Sequence, residues 1–93
     1  MRKIHYTNQF KRDCRRTARG RHHMDLDRRL AYACSLLAAN MLLPLNYRDH
    51  HLKQSGFQKH RECHLKPDLL LIYAKPDEHS LLLIRMGSHG ELF

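Results

Sequence analysis

Hydrophobic positions change their period along this chain. Between residues 10 and 41 they recur every three or four positions, as on a helix; later they run in short blocks, as on buried strands. Phe10, Cys14 and Ala18 recur every four residues, a narrow apolar stripe on a basic helix that stops at Gly20. Thr7 or Asn8 is placed to cap that helix, and residues 3–6 predict a short strand before it. Arg21-His22-His23 connects to a second helix, with Asp25 or Asp27 in its first turn, where the helix dipole favours an acid. Leu26, Leu30, Ala33, Leu37 and Met41 form its apolar face, Cys34 and Ala38 widen it, and Pro44 ends it. The short polar connection predicts two antiparallel helices.

The second half reads differently. Residues 45–55 are polar and aperiodic, which predicts a loop carrying Asp49-His50-His51. A tripeptide then repeats, Lys66-Pro67-Asp68 and Lys75-Pro76-Asp77, and proline punctuates strands because it cannot donate to a ladder. Three strands follow, at about 57–65, 69–75 and 79–86, in an antiparallel meander. The runs 69–73 and 81–84 are too continuous for one-sided burial, so they predict central strands. The elements together predict one α+β domain over residues 1–93, with two N-terminal helices packed on a small, mostly antiparallel twisted sheet.

Composition narrows the setting. The 93 residues are 42% hydrophobic and 28% charged, which suits one small core and a water-exposed surface. No apolar run approaches the roughly 18 residues that span a bilayer, so no membrane contact is predicted. The basic start, Met1-Arg2-Lys3-Ile4-His5, is not followed by an apolar region of the secretory type. Cys14, Cys34 and Cys63 are odd in number, widely spaced and outside any CxxC pattern, so they predict reduced thiols in a cytoplasmic protein. The formal charge is +8, and it is uneven: residues 1–29 hold ten basic and three acidic residues. Such a basic third beside a near-neutral remainder predicts a polyanion-docking surface, with nucleic acid the favoured partner.

Candidate chemistry gathers at the ends of the strands. If the meander forms, His64 and Asp68 flank its first turn, His50 lies in the preceding loop and His89 follows the last strand. Neighbouring strands lie about 4.8 Å apart, so these groups can share a site. Histidine moves protons near neutrality, and aspartate acts as a base or orients an imidazole. Arg85 offers a fork for a phosphate and Phe93 a ring for a base. Each residue alone also has a plainer reading: a solvated histidine, a turn aspartate, a solvated arginine, a ring plugging the core. No HExxH motif is present, His60 and His64 on a strand lie about 13 Å apart, and neither a metal nor a cofactor is expected. An acid–base ribonuclease that uses the 2′-hydroxyl of its own substrate needs none.

Three segments carry a family resemblance: Tyr47-Arg48-Asp49-His50-His51-Leu52, then Arg61-Glu62-Cys63-His64-Leu65-Lys66-Pro67-Asp68 with the apolar run to Tyr73, then Arg85-Met86-Gly87-Ser88-His89-Gly90-Glu91-Leu92-Phe93. In these the chain resembles the YafQ branch of the RelE/ParE superfamily of toxin–antitoxin toxins. The resemblance implies a ribosome-dependent endoribonuclease that cuts mRNA in the A site. It assigns catalysis to His50, His64, Asp68 and His89, phosphate binding to Arg85 and a terminal aromatic to Phe93. Lys53, Arg61 and Lys66 are expected to bind RNA beside them, and Lys11, Arg12, Arg15, Arg16 and Arg19 to dock on the ribosome. It implies a cognate antitoxin, commonly with a ribbon-helix-helix DNA-binding region, through which operator DNA is bound. The family commonly has tryptophan directly after the aspartate, where this chain has Leu69. Two other classes stay open at this point: a ParE-like toxin that inhibits DNA gyrase without cutting, and a basic RNA-binding module without catalysis.

Overall fold

The structure is a computed structural model that describes residues 1–53 and 59–93. Its elements are β1 (Lys3–Tyr6), α1 (Asn8–Ala18), α2 (Leu26–Ala38), a 3-10 turn (Leu45–Tyr47), β2 (His50–His51), β3 (Arg61–Lys66), β4 (Leu69–Ala74), β5 (Ser80–Gly87) and α3 (His89–Leu92). The strands form a five-stranded sheet in the order β1-β5-β4-β3-β2. The meander β3-β4-β5 is antiparallel, β2 adds antiparallel to one edge, and β1 pairs in parallel with β5 at the other. The N-terminal strand is as expected, but its parallel pairing is not visible in local pattern, because it joins residues far apart in sequence.

Local chemistry explains the helices. Thr7 is the N-cap of α1: its hydroxyl accepts from the Phe10 N–H at 2.9 Å and donates to the Ile84 carbonyl at 2.8 Å, tying the helix start to β5. The buried face of α1 is Phe10, Asp13 and Thr17, so the expected stripe turns out half polar, and Ala18 is exposed. Phe10 stacks on Tyr6 with ring centroids 5.8 Å apart. In α2 the face Leu26, Ala33, Cys34, Leu37 and Ala38 is buried. The helix ends at Ala38, before the expected stop at Pro44, and Asn40 turns the chain with a left-handed φ of 58°. Met41 therefore leaves the expected face and is 59% exposed. Among the described residues no helix is long and apolar enough to cross a membrane.

One core joins both helices to one face of the sheet. Phe10 and the α2 face pack with Cys63 and Leu65 of β3, Leu69, Leu71 and Tyr73 of β4, and Leu81, Leu83 and Met86 of β5. Successive strand residues alternate faces, so Leu70 and Ile72 point to the opposite face, yet they too are buried. Every residue of β4 is buried, as its unbroken apolar run predicts, whereas Leu82 and Ile84 of β5 are only partly covered. The expected strand at 57–65 is observed as Arg61–Lys66, and residues 57 and 58 lie outside the described residues. The expected loop at 45–55 instead holds the 3-10 turn and β2, and α3 was not anticipated.

Candidate active site

The second sheet face carries the histidines. His50 pairs with Glu62 across β2 and β3, and Glu62 and His64 pair with Ile72 and Leu70 of β4. Alternation puts His50, Glu62 and His64 on the face away from the helices. Glu62 is buried, and its Oε1 lies 3.7 Å from the Nε2 of His50 and 3.7 Å from the Nε2 of His64. The other ring nitrogens meet carbonyl oxygens: His50 Nδ1 is 2.6 Å from the Arg48 oxygen and His64 Nδ1 is 3.2 Å from the Pro67 oxygen. A carbonyl only accepts, so each Nδ1 carries the proton and each Nε2 is left to gain or lose one. Arg48 presents its carbonyl from a left-handed conformation with φ of 49°. A partly buried network braces the same strand start: Tyr73 donates to Asp49 Oδ1 at 2.5 Å and Arg61 Nε donates to it at 3.3 Å.

The short helix α3 brings in His89. Ser88 accepts from the Glu91 N–H at 3.2 Å, while Glu91 Oε1 accepts from the Ser88 N–H at 2.8 Å, a reciprocal cap. Arg16 holds Glu91 at 2.9 Å, and Asp68 Oδ1 accepts from the His89 N–H at 3.3 Å. The His89 and Phe93 rings lie 5.2 Å apart. A cleft of about 470 Å³ is lined by His50, His51, Leu52, Lys53, Glu62, His89 and Phe93. His64 adjoins this cleft through Glu62.

Other expected site residues stand apart from the cleft, and several have protein partners. Asp68 also accepts from Arg21 at 2.5 Å, and its carboxyl is held below the usual aspartate value by the His89 N–H and by Arg21. An acid so well solvated by donors is a poor proton acceptor, so the geometry ties Asp68 to placement of α3. Arg61 is engaged by Asp49 and Tyr73, and Lys66 donates to the His22 carbonyl at 3.0 Å. Lys11, Arg12 and Arg15 are exposed on α1 and Arg19 at its C-terminal cap, but Arg16 is committed to Asp13, Glu91 and the Met86 carbonyl.

Arg85 is anchored on Asp13, which is fully buried. Asp13 Oδ2 accepts from Arg85 Nε at 2.8 Å and from the Met86 N–H at 3.0 Å, and Oδ1 accepts from Arg85 Nη2 at 3.3 Å and Arg16 Nη1 at 2.8 Å. Burial pushes this carboxyl up, but the hydrogen bonds from Arg85, Met86 and Gln9 and the charge of Arg85 outweigh it, leaving it below the usual value. The ladder slips here: Ile72 faces Arg85 and Tyr73 faces Leu83, so Ile84 is left over. Such bulges re-aim side chains.

Two residues escaped the sequence reading. Glu62 had a signal, since an acid two positions from His64 on a strand shares its face. Asp13 had one too, as the only acid before Asp25, three positions ahead of Arg16. Leu69, which stands where the family commonly has tryptophan, is fully buried in the core against the helices. Its side chain is a packing element.

Helices α1 and α2 on one sheet face and a histidine–carboxylate cleft on the other define a small, basic α+β domain. The comparisons give its family. Residues 2–93 match the model of the bacterial toxin of type II toxin-antitoxin system, YafQ, and the chain belongs to that family. It is 39% identical over 93 residues to the mRNA interferase toxin YafQ of Escherichia coli strain B / BL21-DE3, covering 99% of this chain and 96% of the relative. The toxin in a crystal structure of the E. coli DinJ-YafQ complex superposes with a TM-score of 0.84 at 33% identity, covering 100% of this chain and 99% of that one. A metal-bound toxin from Helicobacter pylori superposes with a TM-score of 0.86 at 40% identity, covering 100% of both chains. Among the described residues here, no group of three His, Cys, Asp or Glu side chains is placed to hold a metal ion.

Proposed function

We propose that this toxin is an mRNA interferase, an endoribonuclease that cuts mRNA in the ribosomal A site by acid–base catalysis. The observation that carries the reading is the pair of imidazole Nε2 atoms, each 3.7 Å from one buried carboxylate, at a cleft that His50, His89 and Phe93 line. His50 or His64 takes the proton of the 2′-hydroxyl at Nε2, and Glu62 stabilises the imidazolium that forms. The 2′-oxygen attacks phosphorus, the bond to the 5′-oxygen breaks, and His89 gives that oxygen its proton. The products are a 2′,3′-cyclic phosphate and a 5′-hydroxyl. Arg85 stabilises the charge on the phosphate: Asp13 holds its Nε and Nη2, which leaves Nη1 to the substrate. Phe93 stacks on a base, Lys53, Arg61 and Lys66 add positive potential along the strand, and Asp68 sets the position of His89. Lys11, Arg12, Arg15 and Arg19 dock on ribosomal RNA.

The partner is a cognate antitoxin. DinJ stands in that place in the E. coli complex, and an acidic antitoxin segment competes with RNA for the same positive surface. A ribbon-helix-helix region on the antitoxin takes the complex to operator DNA, and the setting is the cytoplasm. Mapping mRNA 5′ ends after brief induction tests the reading, with codon-phased cuts expected. Cuts in ribosome-free RNA at the same rate overturn the ribosome dependence. Intact mRNA with inhibited DNA supercoiling assigns the protein to gyrase inhibition instead.

A further inference from the structure

A second pocket, formed by α2 and the 3-10 turn, is unlike the cleft. Arg28, Arg29, Tyr32 and Tyr47 line a cavity of about 340 Å³. Tyr47 is buried, Tyr32 is 46% exposed, and their ring centroids are 6.0 Å apart at an interplanar angle of 52°. The pocket is therefore an aromatic corner with one ring fixed, one ring open to solvent and two guanidinium groups at its rim. Arg28 also meets Asp25 at 3.0 Å, at an exposed position where such pairing is weak.

This corner is built onto the histidine cluster. Arg29 also borders a neighbouring depression that runs past Arg48 and Lys66 to His64. Arg29 Nη1 donates to the Leu65 carbonyl at 3.2 Å, next to His64, and its Nε is buried without a hydrogen-bond partner among the described residues. Tyr47 closes the same turn from which Arg48 holds His50. Cations spaced along a path between an acid–base cluster and an aromatic corner suit a polymer with a phosphate and a flat ring in every unit. An acidic peptide would use the cations and leave the tyrosines without a flat partner.

We propose that Tyr32 and Tyr47, with Arg28 and Arg29, form a second RNA subsite that receives an unstacked base and its phosphate from the strand held at the His50–His64 cluster. The inference rests on the nuclease reading above and extends it to the nucleotides beyond the cut. Tyr32 supplies the open stacking face, Tyr47 sets the depth of the pocket, and the arginines hold the phosphate.

The test is single-turnover cleavage of mRNA on programmed ribosomes by the full chain, comparing wild type, Tyr32→Ala and Tyr32→Phe. Tyr32→Ala should raise the half-saturating toxin concentration by about five- to tenfold, with the plateau rate within about twofold, while Tyr32→Phe restores it by keeping the ring. Tyr32→Ala should also weaken binding to ribosomes carrying a 2′-O-methylated mRNA by the same factor. Equal half-saturation for wild type and Tyr32→Ala overturns the subsite. Weakened antitoxin binding with unchanged RNA binding overturns it too, and gives the pocket to the antitoxin. A wild type that cuts no mRNA sinks the nuclease reading itself, a result separate from a cutting wild type that its variant matches.

Discussion

Replacing Asp13 with asparagine probes the contact that joins the basic helix to Arg85 of β5. Its carboxylate is fully buried and accepts from Arg85, Arg16, Gln9 and the Met86 N–H. Asparagine keeps the shape, but its NH₂ group must face donors on one edge or the other, and the charge facing both arginines disappears. Breaking a fully buried ion pair costs about 3–5 kcal/mol. Here the Arg85 and Arg16 side chains are 30% and 40% exposed, so both can rehydrate, and the loss should be nearer about 2 kcal/mol. For a domain of this size that is a fall in Tm of roughly 8–16 °C. The effect must follow pH. The folded carboxyl titrates below its ordinary value of 3.8, so the unfolded chain takes up protons first as pH falls. The stabilisation is complete above about pH 4 to 5 and is lost as pH drops through the folded value. Thermal unfolding followed by circular dichroism should therefore show a full gap between wild type and Asp13→Asn at pH 7 that narrows below pH 4. A gap of equal size at pH 3 and pH 7, or no gap at all, would refute the reasoning.

Four further outcomes follow from the same geometry. Glu62→Gln removes the charge shared by His50 and His64 and should slow single-turnover cleavage by about 10²-fold or more, with antitoxin affinity retained; a rate within threefold of wild type contradicts the base assignment. His89→Ala should abolish growth arrest by lowering cleavage about 10²–10⁴-fold, and persistent codon-phased cutting would remove His89 from the mechanism. Asp68→Asn weakens the anchor of α3, so cleavage should fall while Tm moves by no more than about 2 °C, because Asp68 is exposed and its pairing screened. Leu69→Ala should destabilise the fold by about 2–5 kcal/mol in chemical denaturation, as expected for a residue wholly inside the core.

The strands were legible because their signals are local. Lys66-Pro67-Asp68 and Lys75-Pro76-Asp77 mark turns by their own chemistry, and Asp77 does accept from His79 and Ser80 as a turn residue would. The apolar block of β4 announced burial on both faces. What escaped depends on partners distant in sequence. The two-residue β2 exists because β3 offers it an edge, and the parallel place of β1 is set by β5. The polar loop around His50 carried no period to reveal either. In the site, the histidines were found by their residue type and spacing, but the groups that fix them were not. Glu62 looked like one more surface acid until pairing set it between His50 and His64. Asp13 was hidden among arginines, one of which is its partner through α1 and another through β5.

The parallel pairing of β1 with β5 bears on when the toxin becomes dangerous to the cell that makes it. Lys3 finds its ladder partner only in Ser80, and Asp13 has no Arg85 or Met86 to neutralise it until β5 has been translated. A nascent chain halted before β5 holds a basic helix whose core-facing Asp13 has only Arg16 and Gln9 of its own helix as partners, and lacks His89 and Phe93. Completion of the sheet and completion of the cleft thus arrive together, late in synthesis. A toxin built this way has no finished cleft while it is still being made.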